Sequence, residues 1–185
     1  MSLDGYISGP AGELDWEIKD EAEGKFVIPE IMESCNTILL GRVLFQGFEQ
    51  AWPVVIGDTN SSRELVDFGS WIENTPKIIL SKNSHTVTWK KSDFVTVKSD
   101  EDIVKEITKL KQASGKDLVL FGGVSIAQTF VRLNLIDEFW IKLQPVVLGG
   151  GKPLFKDLSA RQNLKLLESK SFSSGVTFLK YQKVT

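Results

Sequence analysis

Three short apolar runs in this sequence each end in residues suited to binding an anion. The runs cover residues 37–40, 77–80 and 118–121, and the pairs that follow them are Gly41 and Arg42, Ser81 and Lys82, and Gly122 and Gly123. Glycine lets a ligand approach the backbone, a hydroxyl group donates a hydrogen bond, and Arg and Lys supply positive charge. These pairs, each directly after an apolar run, indicate a phosphate-bearing ligand.

The apolar runs also indicate how these pairs are brought together. Continuous apolar runs of about four to six residues are typical of strands buried on both faces of a mainly parallel sheet. In such sheets, ligands bind beyond the carboxyl ends of the strands. We therefore expect the three pairs to lie at one edge of a sheet.

Each pair also has a simpler interpretation. The glycine pair in LFGGVSIAQTF (120–130) either holds a pyrophosphate at the start of the next helix or only makes a tight turn. Arg42 either binds a phosphate monoester with its planar guanidinium or lies on the surface. Ser81 and Lys82 favour binding, because two cations and a hydroxyl group can surround a dianion such as a ribose 2′-phosphate.

Two further segments carry groups capable of chemistry. GELDW (12–16) is either an exposed turn or a lid or substrate wall in which Asp15 or Glu13 takes part in proton transfer. VVLGGGKPLF (146–155) lacks the Ser or Thr after Lys152 and the upstream Gly that a P-loop requires. We therefore expect it to form either a sharp bend between strands or the wall of a ligand pocket.

Helices are predicted between the apolar runs, where apolar residues recur at helical spacing. The three sets are Leu65, Phe68 and Ile72; Ile103, Ile107 and Leu110; and Ile126, Phe130 and Leu133. Asn60 or Ser61 is available to cap the first helix, and Ser99 with Asp102 predicts a capping box for the second.

The remaining segments complete an α/β pattern with C-terminal antiparallel strands. A helix is expected over 21–34, with Pro29 starting or interrupting it, and an ordered loop over 49–60. One long strand is predicted over 135–148, with Pro145 marking a bulge or a sheet edge. LKLLESKSF and GVTFLKYQK are expected to pair as antiparallel strands. Residues 2–7 resemble the end of a strand running into an Asp-Gly turn.

Composition narrows the function classes. A chain of 185 residues with 42% hydrophobic and 25% charged residues suits a single soluble domain. The net charge of −2 argues against nucleic acid as the main partner. One Cys and one His argue against a disulfide and a zinc centre; Cys35 is predicted to be buried and His85 to lie in a surface loop. No signal segment or membrane-length apolar run is present, so we expect a cytoplasmic protein.

Several segments together resemble the RibD C-terminal reductase domain family, a branch of the dihydrofolate reductase-like superfamily with stand-alone bacterial members. They occur in that family's order, from residue 2 to about 183: SLDGYI, GELDW, TILLGR, KIILSK, LFGGVSIAQTF, LIDEFWIKLQPVVLGGGKPLF and GVTFLKYQ. PVVLGGGKPLF is the most telling block, because it separates this branch from dihydrofolate reductases themselves.

The resemblance implies one domain over 1–185: a central mixed sheet, mainly parallel and flanked by helices, that binds NADPH across its strand ends. The residues that match cofactor-binding positions are Gly41, Arg42, Ser81, Lys82, Gly122, Gly123, Val124, Ser125 and Ile126. Five residues match positions on the nicotinamide and substrate side: Asp4, Gly5, Leu148, Gly149 and Gly150. The nearby Asp15 and Trp16 are assigned to the same side. The implied reaction is hydride transfer to a ribosylamino-pyrimidine or another small heterocycle, as in riboflavin synthesis, by a homodimer.

The sequence also departs from the family pattern. The central strand that precedes SLDG in the family is missing, so we expect either a natural chain that begins earlier or a functional chain without this strand. The first helix offers Glu21 and Glu23 but no secure counterpart of the acid that faces the pterin in dihydrofolate reductases. The proton donor is left open between Asp4, Asp15 and an ordered water. The alternatives are a dimeric nucleotide-binding protein without reductase activity and a dihydrofolate reductase.

Overall fold

The computed structural model describes residues 1–83, 88–113 and 115–184, so His85 lies outside the described residues. The helices are α1 (Glu21–Ser34), α2 (Arg42–Gly57), α3 (Arg63–Asn74), α4 (Asp100–Gln112) and α5 (Val124–Arg132). The strands are β1 (Tyr6–Ser8), β2 (Cys35–Gly41), β3 (Lys77–Ser81), β4 (Ser92–Thr96), β5 (Asp117–Gly122), β6 (Glu138–Leu143), β7 (Lys152–Pro153), β8 (Leu164–Ser171) and β9 (Thr177–Lys183).

The chain separates into two compact units. Val27–Ile126 forms one of them, called here the central unit. Met1–Phe26 and Ala127–Thr185 form the other, the terminal unit.

The central unit contains a four-stranded parallel sheet. Its strand order is β4-β3-β2-β5, and β2–β3, β2–β5 and β3–β4 all pair in parallel. The three apolar runs form β2, β3 and β5, as the sequence predicts. The edge strand β4 was not predicted, because Ser92–Thr96 carries only two apolar residues and faces solvent at several positions.

Helix α2 corrects the loop predicted over 49–60. The helix continues through this segment to Gly57, with Pro53 inside it, and only residues 58–60 lie outside the helix. Phe48 and Trp52 lie one helical turn apart with their rings 5.8 Å from each other, and the Trp52 ring lies 5.4 Å from that of Phe68 in α3. Burial of this aromatic face stabilises the helix against the cost of an internal proline, about 3 kcal/mol.

The other predicted helices are confirmed, with one correction to the cap of α3 and one to the place of Pro29 in α1. The side chain of Ser62, not Asn60 or Ser61, accepts the N–H of Leu65 and caps α3. α1 spans the predicted residues, but Pro29 neither starts nor interrupts it. α4 has the predicted capping box between Ser99 and Asp102.

A buried lysine joins α3 to the start of β3. The Lys77 side chain is 1% exposed, and its Nζ donates to the carbonyls of Ile72, Thr75 and Glu73 at 2.8, 2.9 and 3.2 Å. It also lies 4.4 Å from the centre of the Trp89 ring. These bonds satisfy carbonyl groups at the C-terminal end of α3, and burial lowers the pKa of Lys77 to about 8.

The terminal unit contains an antiparallel sheet of order β6-β9-β8. The predicted hairpin is formed by β8 and β9, with Gly175 at a φ of +87° in its turn. The strand expected over 135–148 is shorter, because β6 ends at Leu143. Pro145 marks neither a bulge nor an edge: it lies in a tight turn in which the N–H of Val146 donates to the carbonyl of Gln144 at 2.8 Å.

The opening residues form the predicted Asp-Gly turn, but the strand lies on its other side. Gly5 has a φ of +89° and donates its N–H to the carbonyl of Ser2 at 3.1 Å. β1 follows this turn and pairs antiparallel with β7. Before the turn, Met1 donates to the carbonyl of Lys142 at 2.7 Å and accepts the N–H of Gln144 at 2.8 Å.

The architecture confirms the predicted α/β class, with a parallel sheet, flanking helices and additional antiparallel strands. Cys35 is buried, as expected. No helix among the described residues is both long and apolar enough to span a bilayer.

We expect replacement of Lys77 with Met to lower the unfolding free energy by about 1–3 kcal/mol at pH 7, since buried carbonyls lose their donor. The unfolded chain keeps the Lys77 proton up to about pH 10.5, whereas the folded chain releases it near a pKa of about 8. The wild type should therefore gain stability relative to Lys77→Met as the pH rises from 8 to 10. Denaturant unfolding at pH 7 and 9.5 measures both effects.

The matched control is Lys98→Met, at an exposed lysine before α4 that is not among the charged groups acting on Lys77. Its unfolding free energy should stay within about 0.5 kcal/mol of the wild type. Equal stability of the two variants would contradict the role assigned to Lys77.

Candidate functional site

Three parallel strands of the central unit end side by side. Gly41 of β2 is paired with Leu80 of β3, and Leu40 of β2 is paired with Gly122 of β5. The residues after these strands therefore leave the sheet at one edge, which confirms the expectation from the sequence. We call the following residues the strand-end site: Gly41, Arg42, Ser81, Lys82, Gly122, Gly123, Val124, Ser125 and Ile126.

Two helices begin at the strand-end site without negative charge in their first turns. α2 starts directly after β2, and α5 starts directly after the glycine pair. The structure describes every residue of both first turns, and none of these residues is acidic. The N-cap of α2 is Gly41, which has no side chain to cap it.

The other helices differ in this respect. The first turns of α1, α3 and α4 contain two, one and three carboxylates. Carboxylates there offset the partial positive charge at a helix N-terminus. At α2 and α5 that charge is not offset by an acidic residue of the same turn, the arrangement in which helix starts bind phosphate groups.

The glycines of the site meet geometric requirements. Gly122 and Gly123 have φ values of +90° and +89°, where an L side chain costs about 1–2 kcal/mol. A Cβ atom on Gly41 would lie 3.1 Å from Cγ2 of Ile126 and 3.5 Å from the carbonyl oxygen of Gly122. A side chain at Gly41 would press against Ile126, and the glycines leave the backbone of both turns uncovered by side chains of their own.

Two cationic side chains and the hydroxyl group of Ser81 complete the strand-end site. Arg42 and Lys82 are exposed. Ser81 is 8% exposed, and its Oγ accepts the N–H of Asn83 at 3.3 Å, so this hydroxyl shapes the turn after β3. Two helix starts and two cations form a donor set that fits the phosphates of a dinucleotide such as NADPH.

In the terminal unit, Asp4 binds the glycine-rich segment that follows β6. Its Oδ1 accepts the N–H of Leu148 at 3.1 Å, and its Oδ2 accepts the N–H of Gly149 at 2.8 Å. A hydrogen bond from the Ser2 hydroxyl and these two backbone bonds lower the pKa of Asp4. An ionised carboxylate with this many donors holds a loop in place and is a poor proton donor near neutral pH.

The glycine-rich segment has one structural glycine and two that border open space. A Cβ atom on Gly151 would collide with the carbonyl oxygen of Ser8. A Cβ atom on Gly149 or Gly150 would meet no atom of the described residues within 4 Å, and the same holds for Gly5. The positive φ values of Gly149 and Gly151 fit the predicted sharp bend, and the pocket-wall role of Gly5, Gly149 and Gly150 stays a prediction.

GELDW forms a surface turn. The indole N–H of half-buried Trp16 donates to the carbonyl of Glu13 at 3.2 Å, and the same carbonyl accepts the N–H of Gly9 at 3.0 Å. Asp15 is exposed. The catalytic role of Asp15 and the substrate contact of Trp16 stay predictions.

Gln144 positions the chain beyond this turn, and sequence reasoning missed it. Its side chain is 1% exposed, although Gln is usually exposed in folded proteins. Oε1 accepts the N–H of Ile18 at 3.1 Å, and Nε2 donates to the carbonyl of Ile18 at 3.4 Å. The side chain thus binds one residue of the opening segment as a neighbouring strand would. The only signal in the sequence is a polar residue directly before Pro145.

Helix α1 presents one of its two candidate acids inward. Glu23 has a side chain 12% exposed and lies 3.3 Å from Nζ of Lys142, which also lies 3.5 Å from Glu17. Glu21 is 90% exposed and lies 4.0 Å from Lys25. The inward acid therefore already has a cationic partner.

Replacement of Asp4 with Asn should lower the melting temperature at pH 6, because the amide loses one of the two acceptor oxygens and the charge. The lowered pKa of Asp4 means that its contribution is present above the ordinary aspartate pKa, near 3.8. That contribution is lost as the pH falls through the folded value. The gap between wild type and variant should therefore close as the pH falls below 3.8. Thermal melting from pH 2 to pH 7 measures it.

Asp15→Asn makes the same charge change at an exposed residue of the opening segment and serves as the control. A gap that is equal for both variants, or that does not depend on pH, would refute the anchoring role of Asp4.

Comparison with known proteins places this chain in a family. Its sequence matches the model of the RibD C-terminal domain over residues 1–178. It is 38% identical over 181 residues to the uncharacterized protein YyaP of Bacillus subtilis (strain 168), covering 98% of this chain and 90% of that protein.

Solved structures resemble it over the whole chain. A protein of Shewanella sp. PV-4 assigned to riboflavin biosynthesis is 27% identical, with a TM-score of 0.70 and coverage of 100% of this chain and 95% of that one. Dihydrofolate reductase from Enterococcus faecalis, solved with NADP(H), is 15% identical, with a TM-score of 0.60 and coverage of 100% and 92%. The latter likeness concerns the fold alone. The chain belongs to the RibD C-terminal domain family and has a dihydrofolate reductase-like fold.

Proposed function

We propose that this protein is a reductase of the RibD C-terminal type that uses NADPH. The observation that carries the proposal is the strand-end site, where α2 and α5 begin with first turns free of acidic residues, beside Arg42 and Lys82. Such a site attracts a ligand with several phosphates. Membership of the RibD C-terminal domain family supports a reductase among the proteins that bind such ligands.

Within the strand-end site, each group has a separate task. The glycine pair and the start of α5 hold the pyrophosphate, where backbone N–H groups can approach it. Arg42 and Lys82 supply positive charge to a 2′-phosphate, and the Arg42 guanidinium can donate two parallel hydrogen bonds to it. These tasks predict a preference for NADPH over NADH.

Substrate recognition is assigned to residues of the terminal unit. When bound, the nicotinamide of NADPH supplies a hydride to a C=N or C=O carbon. Asp4 holds Leu148 and Gly149, which with Gly150 shape the wall of the substrate pocket. Because Asp4 is kept ionised, it is a poor source of the proton that must follow, and the candidates left are Asp15 and an ordered water. The proposed substrate is a ribosylamino-pyrimidine or a related heterocycle of riboflavin synthesis.

Two other functions are less well supported. A dihydrofolate reductase needs an acid on its first helix that faces the pterin, whereas Glu23 is paired with Lys142 and Glu21 is exposed. A dimeric nucleotide-binding protein without reductase activity needs only the strand-end site. Measurement of NADPH oxidation in the presence of a substrate distinguishes this alternative from a reductase.

Titration of the purified protein with NADPH and NADH, followed by nicotinamide fluorescence, tests the proposal. The wild type should bind NADPH more tightly. Replacement of Arg42 with Ala should weaken NADPH binding about ten-fold to a hundred-fold, the loss expected for hydrogen bonds to a charged group, and NADH binding less. Arg63→Ala, at an arginine of α3 with a side chain 92% exposed, should leave both affinities unchanged.

Equal losses of NADPH and NADH affinity would remove Arg42 from the 2′-phosphate site, and absence of binding by the wild type would overturn the proposal. Oxidation of NADPH in the presence of ribosylamino-pyrimidines then distinguishes the reductase from a protein that only binds the nucleotide. Oxidation with dihydrofolate instead would favour the dihydrofolate reductase.

We also propose that the protein is a homodimer, and that β8 supplies the contact. β8 is an edge strand of its sheet, and most of its residues are exposed on both faces. Leu166 and Leu167 are 48% and 41% exposed. An exposed strand edge with apolar side chains is a template for a strand of another chain, and a second copy offers the same strand in antiparallel orientation.

Light scattering during size-exclusion chromatography should give twice the monomer mass for the wild type. Replacing both Leu166 and Leu167 with Glu should give the monomer mass, because two buried charges would face the same charges of the partner. Val104→Glu, at a valine of α4 that is 39% exposed, should leave the dimer intact. A monomeric wild type, or a dimer that survives the double substitution, would exclude this contact.

A further inference from the structure

A pocket within the terminal unit shares no residue with the strand-end site or with the residues assigned to substrate recognition. It is a pocket of about 360 Å³. Its walls come from the end of α5, the irregular segment before β8 and the end of β9. Pockets that hold small molecules begin at about this size, near 300 Å³.

The pocket combines three cationic side chains. They are Arg132, Arg161 and Lys183, one from each wall. Hydroxyl and amide side chains, including Ser159 and Asn163, make up much of the rest, and no carboxylate is among the described residues that line it. Three of the nine described residues that line the pocket are cationic, whereas the chain as a whole carries 22 basic and 24 acidic residues.

Hydrogen bonds to the backbone hold the walls in place. Gln162 donates from Nε2 to the carbonyl of Val131 at 3.1 Å, and the carbonyl of Asn163 accepts the N–H of Val184 at 2.9 Å. Nζ of Lys183 donates to the carbonyl of Asn134 at 3.3 Å. An ammonium group has three donors, so this bond orients the lysine and leaves it able to bind a ligand.

Helix electrostatics account for one of the three cations. Arg132 is the last residue of α5, where a positive side chain offsets the partial negative charge of the helix end. Arg161 and Lys183 belong to other segments, and this explanation does not apply to them. Both side chains line the same cavity, and an anion bound there would offset the repulsion between their like charges.

We propose that this pocket binds a small phosphate-bearing molecule of about the size of a nucleoside monophosphate. The phosphate dianion would lie between Arg161 and Lys183, and the hydroxyl and amide groups would donate to the attached sugar. This site is independent of NADPH, so a ligand here would act as an effector or as a second nucleotide.

The test is a titration of the ¹⁵N-labelled full chain with AMP and with inorganic phosphate, at constant ionic strength maintained with chloride. Both probes should shift the amide signals of residues 159–163. In the variant with both Arg161→Gln and Lys183→Gln, the dissociation constant from these signals should rise at least ten-fold. Lys165→Gln, on the exposed face of β8, is the matched control and should bind as the wild type does.

AMP can also bind at the strand-end site, so the titration is repeated with Arg42→Ala. Shifts at 159–163 that persist in this variant support the second site. Shifts lost with Arg42→Ala, retained in the double variant, or absent from the wild type would overturn the proposal. Thermal melting checks that the variants are folded. The single variant Arg161→Gln, at an exposed side chain, should also raise the dissociation constant, but less than the double variant does.

Discussion

Parallel hydrogen bonding of β2 with β3 on one side and β5 on the other is the interaction on which the strand-end site depends. Because the three strands run in the same direction, whatever follows each of them leaves the sheet at one edge. Residues about 40 positions apart in the sequence are thereby brought together by the backbone pairing of the strands. This edge therefore carries glycine turns, cationic side chains and the starts of two helices.

The helices differ in whether their first turns carry caps and carboxylates that stabilise the N-terminus. α3 and α4 begin with a serine cap and carboxylates in the first turn, which satisfy their own N–H groups and offset the helix charge. α2 and α5 have no such carboxylates and begin after glycine. Packing compensates at α2, where Phe48 and Trp52 bury one face of the helix against neighbouring aromatic rings. Helix α2 is therefore stabilised by tertiary contacts of its interior, and no side-chain cap occupies its N-terminus.

In the terminal unit, polar side chains bind the backbone of segments that have little regular structure. Asp4 accepts two N–H groups of the glycine-rich segment, and Gln144 both donates to and accepts from Ile18. Short segments without strands or helices of their own cannot satisfy their backbone groups internally, so these side chains replace a neighbouring strand. The same contacts change the chemistry expected of Asp4, since a carboxylate held by three donors is kept ionised and is better suited to positioning than to proton transfer.

The sequence by itself determined three of the four parallel strands, most of the helices, the hairpin and the family, because periodicity, caps and motif order are properties of neighbouring residues. It also identified the strand-end residues, since each pair directly follows its apolar run. Tertiary structure decided the rest. Packing against α3 kept α2 helical through Pro53, and a turn ended β6 before Pro145. The buried roles of Lys77 and Gln144 and the convergence of Arg132, Arg161 and Lys183 depend on which distant segments meet, and no local pattern encodes such contacts.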